Sequence, residues 1–415
     1  MTLGERLRAF DGNGPGFAHL RIGLSLAILF WHSFGLPYGM QWTRTVPEFP
    51  FPSIVAALLP MFFALSGFLV MGSALRTNDV RTFLTFRVLR IVPALFTEIA
   101  LSALVLGPLL TAIPLADYFN SREFLEYFGS MIGRVRYILP GLFLSNPAPR
   151  VVNGALWTVG PEILCYVLIA FAMVAGFFSK PRLMLLATAL YLVVCLASDP
   201  WDAAPVYEIL PTKTLILSFL TGNGIFLYRD RLPYSPWLTL AVFLASLVCI
   251  AIAQFDVAHA AVYPAAIGLA YVAASIGLMK LPPLPFFHRG DYSYGVYIYG
   301  FPIQQAIVHF FPGHRDWWFV FAVSLPITLL FAVASWHLVE GPALALRKTL
   351  LRAKTTARAV SYSGWKQTGA VTACLLLYGT FVADASSVFP LRQIGHSLIG
   401  RADVRQDAPL IRPQF

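Results

Sequence analysis

Residues 54–73 have the sequence IVAALLPMFFALSGFLVMGS, which contains no charged side chain. An α-helix needs about 20 consecutive apolar residues to cross the hydrocarbon core of a membrane. Comparable runs recur at about residues 22–37, 93–113, 157–177, 183–198, 214–228, 236–255, 260–279, 292–311, 317–339 and 367–384. The sequence therefore predicts an all-α fold, a polytopic transmembrane helical bundle of about ten core helices plus one C-terminal helix.

The composition is that of a protein whose solvent is largely lipid. Of the 415 residues, 58% are hydrophobic and only 12% are charged, and the mean hydropathy is +0.69. Soluble domains average about 25% charged residues, so a soluble chain of this composition would expose more apolar surface than a compact globule can bury. We expect the lipid bilayer to surround most of the chain.

The basic residues indicate a topology. The chain has 30 Lys and Arg residues against 20 Asp and Glu residues. They are scattered through short connecting segments and form no separate basic domain, which argues against nucleic-acid binding. Most of them fall in segments that lie inside if the N-terminus is cytoplasmic, as the positive-inside rule requires. We expect a multi-pass protein with a cytoplasmic N-terminus.

Residues 114–156 depart from the pattern of regular spans. Arg134 and Arg136 lie in a moderately apolar run that is followed by three prolines. Two arginines near the centre of a bilayer would be costly. We therefore expect an amphipathic or re-entrant segment at the outer face, and no span.

Ionisable side chains inside apolar runs are candidate functional groups, because hydrocarbon excludes charge. Arg21 and His32 are eleven residues apart, which returns a helix to nearly the same face after a rise of about 16 Å. Both side chains are therefore expected to point into one groove, with Arg21 at its cytoplasmic mouth. A snorkelling Arg beside a hydrogen-bonded structural His explains the same pair.

Two further motifs have structural explanations of their own. Arg87 and Arg90 form a basic pair immediately before Pro93, at the expected start of the third span. The pair faces one side of a helix, yet ordinary positive-inside anchoring accounts for it. The small residues Ser66 and Gly67 permit close helix packing.

Two carboxylates and several tyrosines lie at the ends of later runs. Glu162 is five residues into the fourth run and should face the bundle interior, where it needs a partner. Glu340 ends the tenth run. Tyr292 and Tyr294 open the ninth run, where an interfacial tyrosine belt explains them, and Asp291 is placed to cap that helix.

The motifs are weak singly but specific in their order along the chain. That order is Arg21-x10-His32, Phe62-Phe63-Ala64-Leu65-Ser66-Gly67-Phe68, Arg87-Val88-Leu89-Arg90-Ile91-Val92-Pro93, Leu156-Trp157-Thr158-Val159-x-x-Glu162-x-x-Cys165-Tyr166, Tyr292-Ser293-Tyr294-Gly295-Val296-Tyr297 and Glu340-Gly341-Pro342. Over about residues 17–350 the chain closely resembles the acyltransferase-3 family of membrane-bound O-acyltransferases, which modify surface or secreted glycans.

The resemblance implies an enzyme that moves an acyl group, by default acetyl, from cytoplasmic acyl-CoA to a carbohydrate hydroxyl. The acceptor would belong to a surface or secreted polysaccharide or to a glycolipid. Acyl-CoA would be a co-substrate, with no resident cofactor and no metal ion. The implied location is a bacterial-type inner (plasma) membrane.

The resemblance also implies roles for particular residues. Arg21, Arg87 and Arg90 would bind the donor phosphates through charge-assisted hydrogen bonds. His32 would act as general base on the acceptor hydroxyl or would carry the acyl group itself. Glu162 would complete the catalytic pair, either by orienting His32 or by contacting the sugar. The supporting positions are Ser66, Trp157, Tyr294, Tyr297 and Glu340.

Two features depart from the family pattern. Many members carry a His in a pattern like Tyr-Leu-x-His-x-Pro, where this chain has Gly300 in the segment Tyr297-Ile298-Tyr299-Gly300-Phe301-Pro302. The second is the C-terminal extension. We expect an acyltransferase-like transmembrane domain over 1–350. Residues 351–415 would form a basic cytoplasmic segment, an extra transmembrane helix at about 367–384 and a short tail.

The alternative interpretation is a polytopic transporter or flippase of a glycan or small solute, without group transfer. In that case the buried Arg, His and Glu side chains would line a proton or substrate pathway. No inverted repeat is visible in the sequence, and the ordered motifs favour the acyltransferase.

The charge distribution makes a testable topology prediction. With a cytoplasmic N-terminus and an odd number of spans, reporters fused after residue 360 and after residue 390 should report opposite sides of the membrane. The same side for both fusions would remove the eleventh helix.

Overall fold

The computed structural model describes residues 1–12, 14–39, 51–198, 212–254, 259–282 and 290–347. The predicted helix at 367–384 and the whole segment 351–415 lie outside these described residues, so the predicted C-terminal extension stays a prediction.

The described part of the chain is built from α-helices. In chain order they are α1 Leu3–Arg8, α2 Gly16–Tyr38, α3 Phe51–Thr77, α4 Val80–Leu101, α5 Gly107–Leu110, α6 Leu115–Asn120, α7 Arg122–Tyr127, α8 Val159–Val174, α9 Pro181–Ala197, α10 Thr212–Leu227, α11 Pro236–Gln254, α12 Val262–Gly277, α13 Ser293–Phe310 and α14 Trp317–Ser335. π-Helical turns at Ser102–Leu106 and Trp336–Glu340 extend α4 and α14.

Within the described ranges, seven helical stretches are long and apolar enough to cross a membrane. They are Gly16–Tyr38, Phe51–Thr77, Val80–Leu110, Gly154–Val174, Pro236–Gln254, His259–Gly277 and Trp317–Arg347. The apolar helix α9 is shorter, and α10 and α13 occupy two further predicted runs. Every predicted run before residue 340 thus coincides with a helix, which confirms the polytopic helical bundle.

The third span begins earlier in the structure than the predicted range 93–113. Helix α4 begins at Val80, where the side chain of Asp79 accepts a hydrogen bond from the Thr82 amide at 2.9 Å. Pro93 therefore lies inside the helix and does not open it. The prediction failed because Arg87 and Arg90 interrupt the apolar pattern, although they line the bundle interior.

The segment 114–156 contains no spanning helix, as predicted. Its helices α6 and α7 have six residues each, and the chain then turns inward. The buried Asn146 amide donates to the Gln305 backbone oxygen at 3.0 Å and to its side-chain oxygen at 2.8 Å. Gln305 in turn donates to the backbone oxygens of Ala148 and Val151, at 2.9 and 2.6 Å. These bonds fix the segment against α13, and its predicted place in the membrane stays a prediction.

Helices α3 and α10 approach each other closely at glycines. A methyl group added at Gly67 would lie 2.1 Å from the Phe219 backbone oxygen, and one added at Gly222 would lie 2.2 Å from that of Ala64. Backbone contact of this kind requires small residues on both helices. The predicted packing role of Gly67 is confirmed, and its neighbour Ser66 is left to face a cavity.

Gly67→Ala should therefore lower the melting temperature of the purified protein. Overpacking against a backbone atom costs about 1–3 kcal/mol. Gly23→Ala is the matched control, since no atom lies within 4 Å of the added methyl group. Equal melting temperatures for the two variants would contradict the close α3–α10 contact.

Candidate active site

The motifs that are dispersed along the sequence meet around one cavity of about 110 Å³. Helices α2, α3, α4, α8, α10 and α13 form its walls. We call it the arginine cavity, and its polar lining residues are Arg21, Ser66, Arg87, Arg90, Thr158, Glu162, Tyr166, Ser293, Tyr294 and Tyr297. Of the predicted site residues, only His32, Trp157 and Glu340 are not among the lining residues.

Arg21 and Arg90 share one carboxylate. Asp291 Oδ2 accepts from Arg21 Nη1 at 2.6 Å and from Arg90 Nη2 at 2.7 Å. Arg90 Nη1 also lies 3.4 Å from Glu340 Oε2, in a side chain that is only 1% exposed. Two of the three predicted donor-binding arginines are thus already paired with carboxylates.

Asp291 caps the start of α13, as predicted, and also forms the ion pairs with Arg21 and Arg90. Its Oδ1 does accept from the Ser293 amide, at 3.4 Å, and from the Ser293 hydroxyl. Burial raises the pKa of Asp291, but the nearby charges of Arg90 and Arg21 outweigh burial and hold that pKa well below its usual range. The ion-pair role was missed because its partners are distant in sequence.

Arg87 differs from the other two arginines. Its Nη2 donates to the Ser73 hydroxyl at 3.0 Å, and its guanidinium lies 5.8 Å from the centre of the Tyr166 ring. Its Nε is buried without a hydrogen-bond partner. Among the described residues, no carboxylate lies within salt-bridge distance of Arg87, although the charge of Glu162 acts on it from across the cavity.

Glu162 lies among the arginines and not beside His32. The Tyr166 hydroxyl donates to Glu162 Oε1 at 2.6 Å, and the charges of Arg90, Arg87 and Arg21 act on the carboxylate. The suggested hydrogen bond between Glu162 and His32 is not formed in the described structure. A physical reason is that the tyrosine hydroxyl and the cations already satisfy the carboxylate.

His32 lies on α2, where its ring makes an edge-to-face contact with Phe301 at 5.1 Å between ring centres. The next residue, Ser33, accepts from Gln304 Nε2 at 2.9 Å. The structure thus brings His32 against α13 instead of placing it on the wall of the arginine cavity. Its catalytic role stays a prediction.

A neighbouring side chain occupies the space beside Gly300, the position at which the family pattern has a His. A methyl group added there would lie 2.7 Å from Leu29 Cδ1. Leu29 is one helical turn before His32 on α2. The space that a larger side chain would need is therefore occupied by this leucine.

The tyrosines predicted as supporting residues are anchored to backbone. Tyr297 donates to the Ala155 oxygen at 3.0 Å and lies 2.8 Å from Thr158 Oγ1. Tyr294 donates to the Ile91 oxygen at 3.4 Å, and the Arg90 guanidinium lies 5.8 Å from the centre of its ring. The interfacial belt is therefore the wrong explanation for Tyr294, which lines the cavity.

A buried carboxyl group that the sequence analysis missed positions the turn carrying Trp157. Asn153 accepts from the Ala155 amide at 3.1 Å, at the start of the 3-10 turn Gly154–Thr158. Its amide donates to Glu98 Oε1 and to the Ile298 oxygen, both at 2.9 Å. Glu98 is 1% exposed, and its position as an acidic residue inside an apolar run is the sequence signal that could have identified it.

Asp291→Asn should lower the free energy of unfolding by about 3 kcal/mol, because two arginines would lose their shared anion. The pairing lowers the pKa of Asp291, so its stabilisation is complete above about pH 4, the ordinary Asp pKa, and declines as the pH falls below it. The stability difference between wild type and variant should shrink from pH 7 to about pH 3.

Asp230→Asn is the matched control. Asp230 pairs with Arg8, and both side chains are at least half exposed. Exposed pairs contribute at most about 1 kcal/mol. A loss for Asp291→Asn no larger than that of the control, or one that does not change with pH, would show that the shared ion pair does not stabilise the fold.

Comparison with known proteins supports the motif assignment. The family model described as "Acyltransferase domain" matches residues 15–337. The O-acetyl transferase of Shigella phage Sf6 is 27% identical over 310 residues, or 70% of this chain and 86% of the phage protein. Nodulation protein 10 of Rhizobium leguminosarum bv. viciae is 27% identical over 374 residues, or 82% of this chain and 96% of that protein. No solved structure matches significantly. The chain therefore belongs to the acyltransferase-3 family and is a membrane acyltransferase.

Proposed function

We propose that this protein transfers an acetyl group from cytoplasmic acyl-CoA to a hydroxyl group of a carbohydrate. The carbohydrate would be part of a surface or secreted polysaccharide or of a glycolipid, and the protein would lie in the inner (plasma) membrane with its N-terminus inside. Similarity to a phage protein named O-acetyl transferase supports acetyl as the acyl group.

The observation that carries this proposal is the arginine cavity itself. It places cationic Arg87, without a carboxylate salt bridge among the described residues, beside the hydrogen-bonded pair Glu162 and Tyr166. A guanidinium in such a position forms strong charge-assisted bonds to phosphate oxygens. The apolar walls, which include Phe62, can surround the uncharged part of a donor.

In the transfer step, the acceptor hydroxyl oxygen bonds to the thioester carbonyl carbon and the carbon–sulfur bond breaks. The hydroxyl proton goes to a base and the CoA thiolate takes up a proton. His32 is the proposed base, or else it carries the acyl group between donor and acceptor. Glu162 is the other candidate proton acceptor, because its carboxylate lines the cavity.

The predicted supporting residues would hold this arrangement in place from within and around the cavity. Glu340 and Asp291 hold Arg90, while Tyr294 and Tyr297 fix the inner face of α13 against α4 and the Gly154–Thr158 turn. Ser66 presents a hydroxyl group to the cavity from α3. Trp157, on that same turn, is half-buried and would pack near the acceptor.

Purified protein incubated with labelled acetyl-CoA tests both the function and the role of His32. The wild type should bind CoA saturably and cleave the thioester, whereas a transporter or flippase would do neither. His32→Ala and His32→Gln should abolish transfer and leave CoA affinity near wild type, because Gln keeps hydrogen bonding but cannot accept the proton.

His314→Gln is the control for the same chemical change. His314 lies in an exposed turn and packs on Phe319, so this variant should retain transfer. Substantial transfer by His32→Gln would make His32 structural and direct the search for the base to Glu162.

A further inference from the structure

Four arginines from three helices lie close together at one end of the bundle. Arg76 is in the last turn of α3, Arg87 and Arg90 are on α4, and Arg347 is the last described residue of the helical stretch that begins with α14. The charge of Arg347 is repelled by Arg87, Arg90 and Arg76. Sequence motifs singled out only the two arginines of α4.

Ring and hydroxyl contacts hold these side chains in place. The Arg347 guanidinium lies 4.3 Å from the centre of the Phe86 ring, and that of Arg87 lies 5.6 Å from the Phe83 ring. Both rings belong to α4. The bond from Arg87 to Ser73 joins the same helix to the last turns of α3, one turn before Arg76.

The cluster has too few anions to balance it. Arg90 is paired with Asp291 and Glu340. Within the described ranges, no carboxylate lies within salt-bridge distance of Arg76, Arg87 or Arg347, and Arg87 Nε is buried without a partner. Like charges that converge in this way repel one another unless an anion binds between them.

Helix ends explain the presence of single arginines but not their convergence. A cation in the last turn of α3 is favoured by the helix dipole. That effect acts on each helix separately and gives no reason for Arg76 and Arg347 to lie near Arg87. A multiply charged anion that contacts several guanidinium groups gives such a reason.

We propose that Arg76, Arg87 and Arg347 form a cradle for the terminal phosphomonoester of the CoA donor. This inference rests on the proposed function, because it takes CoA as the donor. Arg87 lines the cavity that would receive the thioester, whereas Arg76 is exposed. The phosphate end of a donor whose thioester is inside would therefore trail past Arg87 towards Arg76 and Arg347.

A phosphomonoester is a suitable partner because it carries close to two negative charges and three acceptor oxygens. The head group of an anionic lipid offers a phosphate as well, but as a monoanionic diester. The cradle should therefore distinguish CoA from dephospho-CoA, which lacks only the phosphomonoester.

The test uses the full-length protein in phosphatidylcholine nanodiscs, with CoA and dephospho-CoA as the two probes. Wild type should bind CoA more tightly than dephospho-CoA. Arg76→Ala and Arg347→Ala should each raise the Kd for CoA about tenfold, as expected for the loss of one charge-assisted bond, and leave the Kd for dephospho-CoA unchanged. Arg76→Lys and Arg347→Lys keep the charge and should restore part of the preference.

Arg122→Ala is the control, because Arg122 is an exposed arginine paired with Glu126 away from the cluster. Equal affinity of the wild type for the two probes would overturn the cradle and leave CoA as the donor. An equal loss of affinity for both probes in the cradle variants would do the same. Wild type that binds neither probe would overturn the proposed function as well. In a parallel assay with phosphatidylglycerol added to the nanodiscs, cradle variants that retain less of this lipid but keep the preference for CoA would assign the cluster to lipid instead.

Discussion

The carboxylate oxygen Oδ2 of Asp291 accepts hydrogen bonds from Arg21 on α2 and from Arg90 on α4. Either arginine alone inside a membrane bundle would carry a large desolvation cost. With Glu340 added from the end of the α14 stretch, two cations and two anions from different parts of the chain balance one another. This balance holds α2, α4 and the start of α13 together, and these elements form half of the cavity wall.

Pairing of this kind separates the three motif arginines into two groups. Arg21 and Arg90 are held by carboxylates and shape the site, whereas Arg87 keeps a charge without a salt bridge among the described residues. The sequence places all three in equivalent basic motifs, so it does not separate these groups. An anion in the cavity would bind more favourably at Arg87 than at Arg21 or Arg90, because binding at Arg87 breaks no existing salt bridge.

How much of the structure the sequence predicts depends on how far apart along the chain the interacting residues lie. Apolar runs predicted every described span, because lipid exposure acts on each run locally. The start of α4 was missed where Arg87 and Arg90 interrupt the run yet face the interior. Ion pairs such as that of Arg21 with Asp291 join residues 270 positions apart, and only the folded bundle shows them. The sequence named most of the residues that line the cavity, but it did not name their partners.

The inward turn of the chain before α8 explains why the Glu162 carboxylate and the arginines lie at the same level of the bundle. Arg90 lies about 15 Å of helical rise after Val80, well inside the bundle, and Glu162 lies one turn into α8. A simple surface loop before α8 would leave Glu162 at the end of the bundle, away from the arginines. Here the chain before α8 turns inward, held by Asn153 on Glu98 and on the Ile298 oxygen. Glu162 therefore meets the arginines within the bundle.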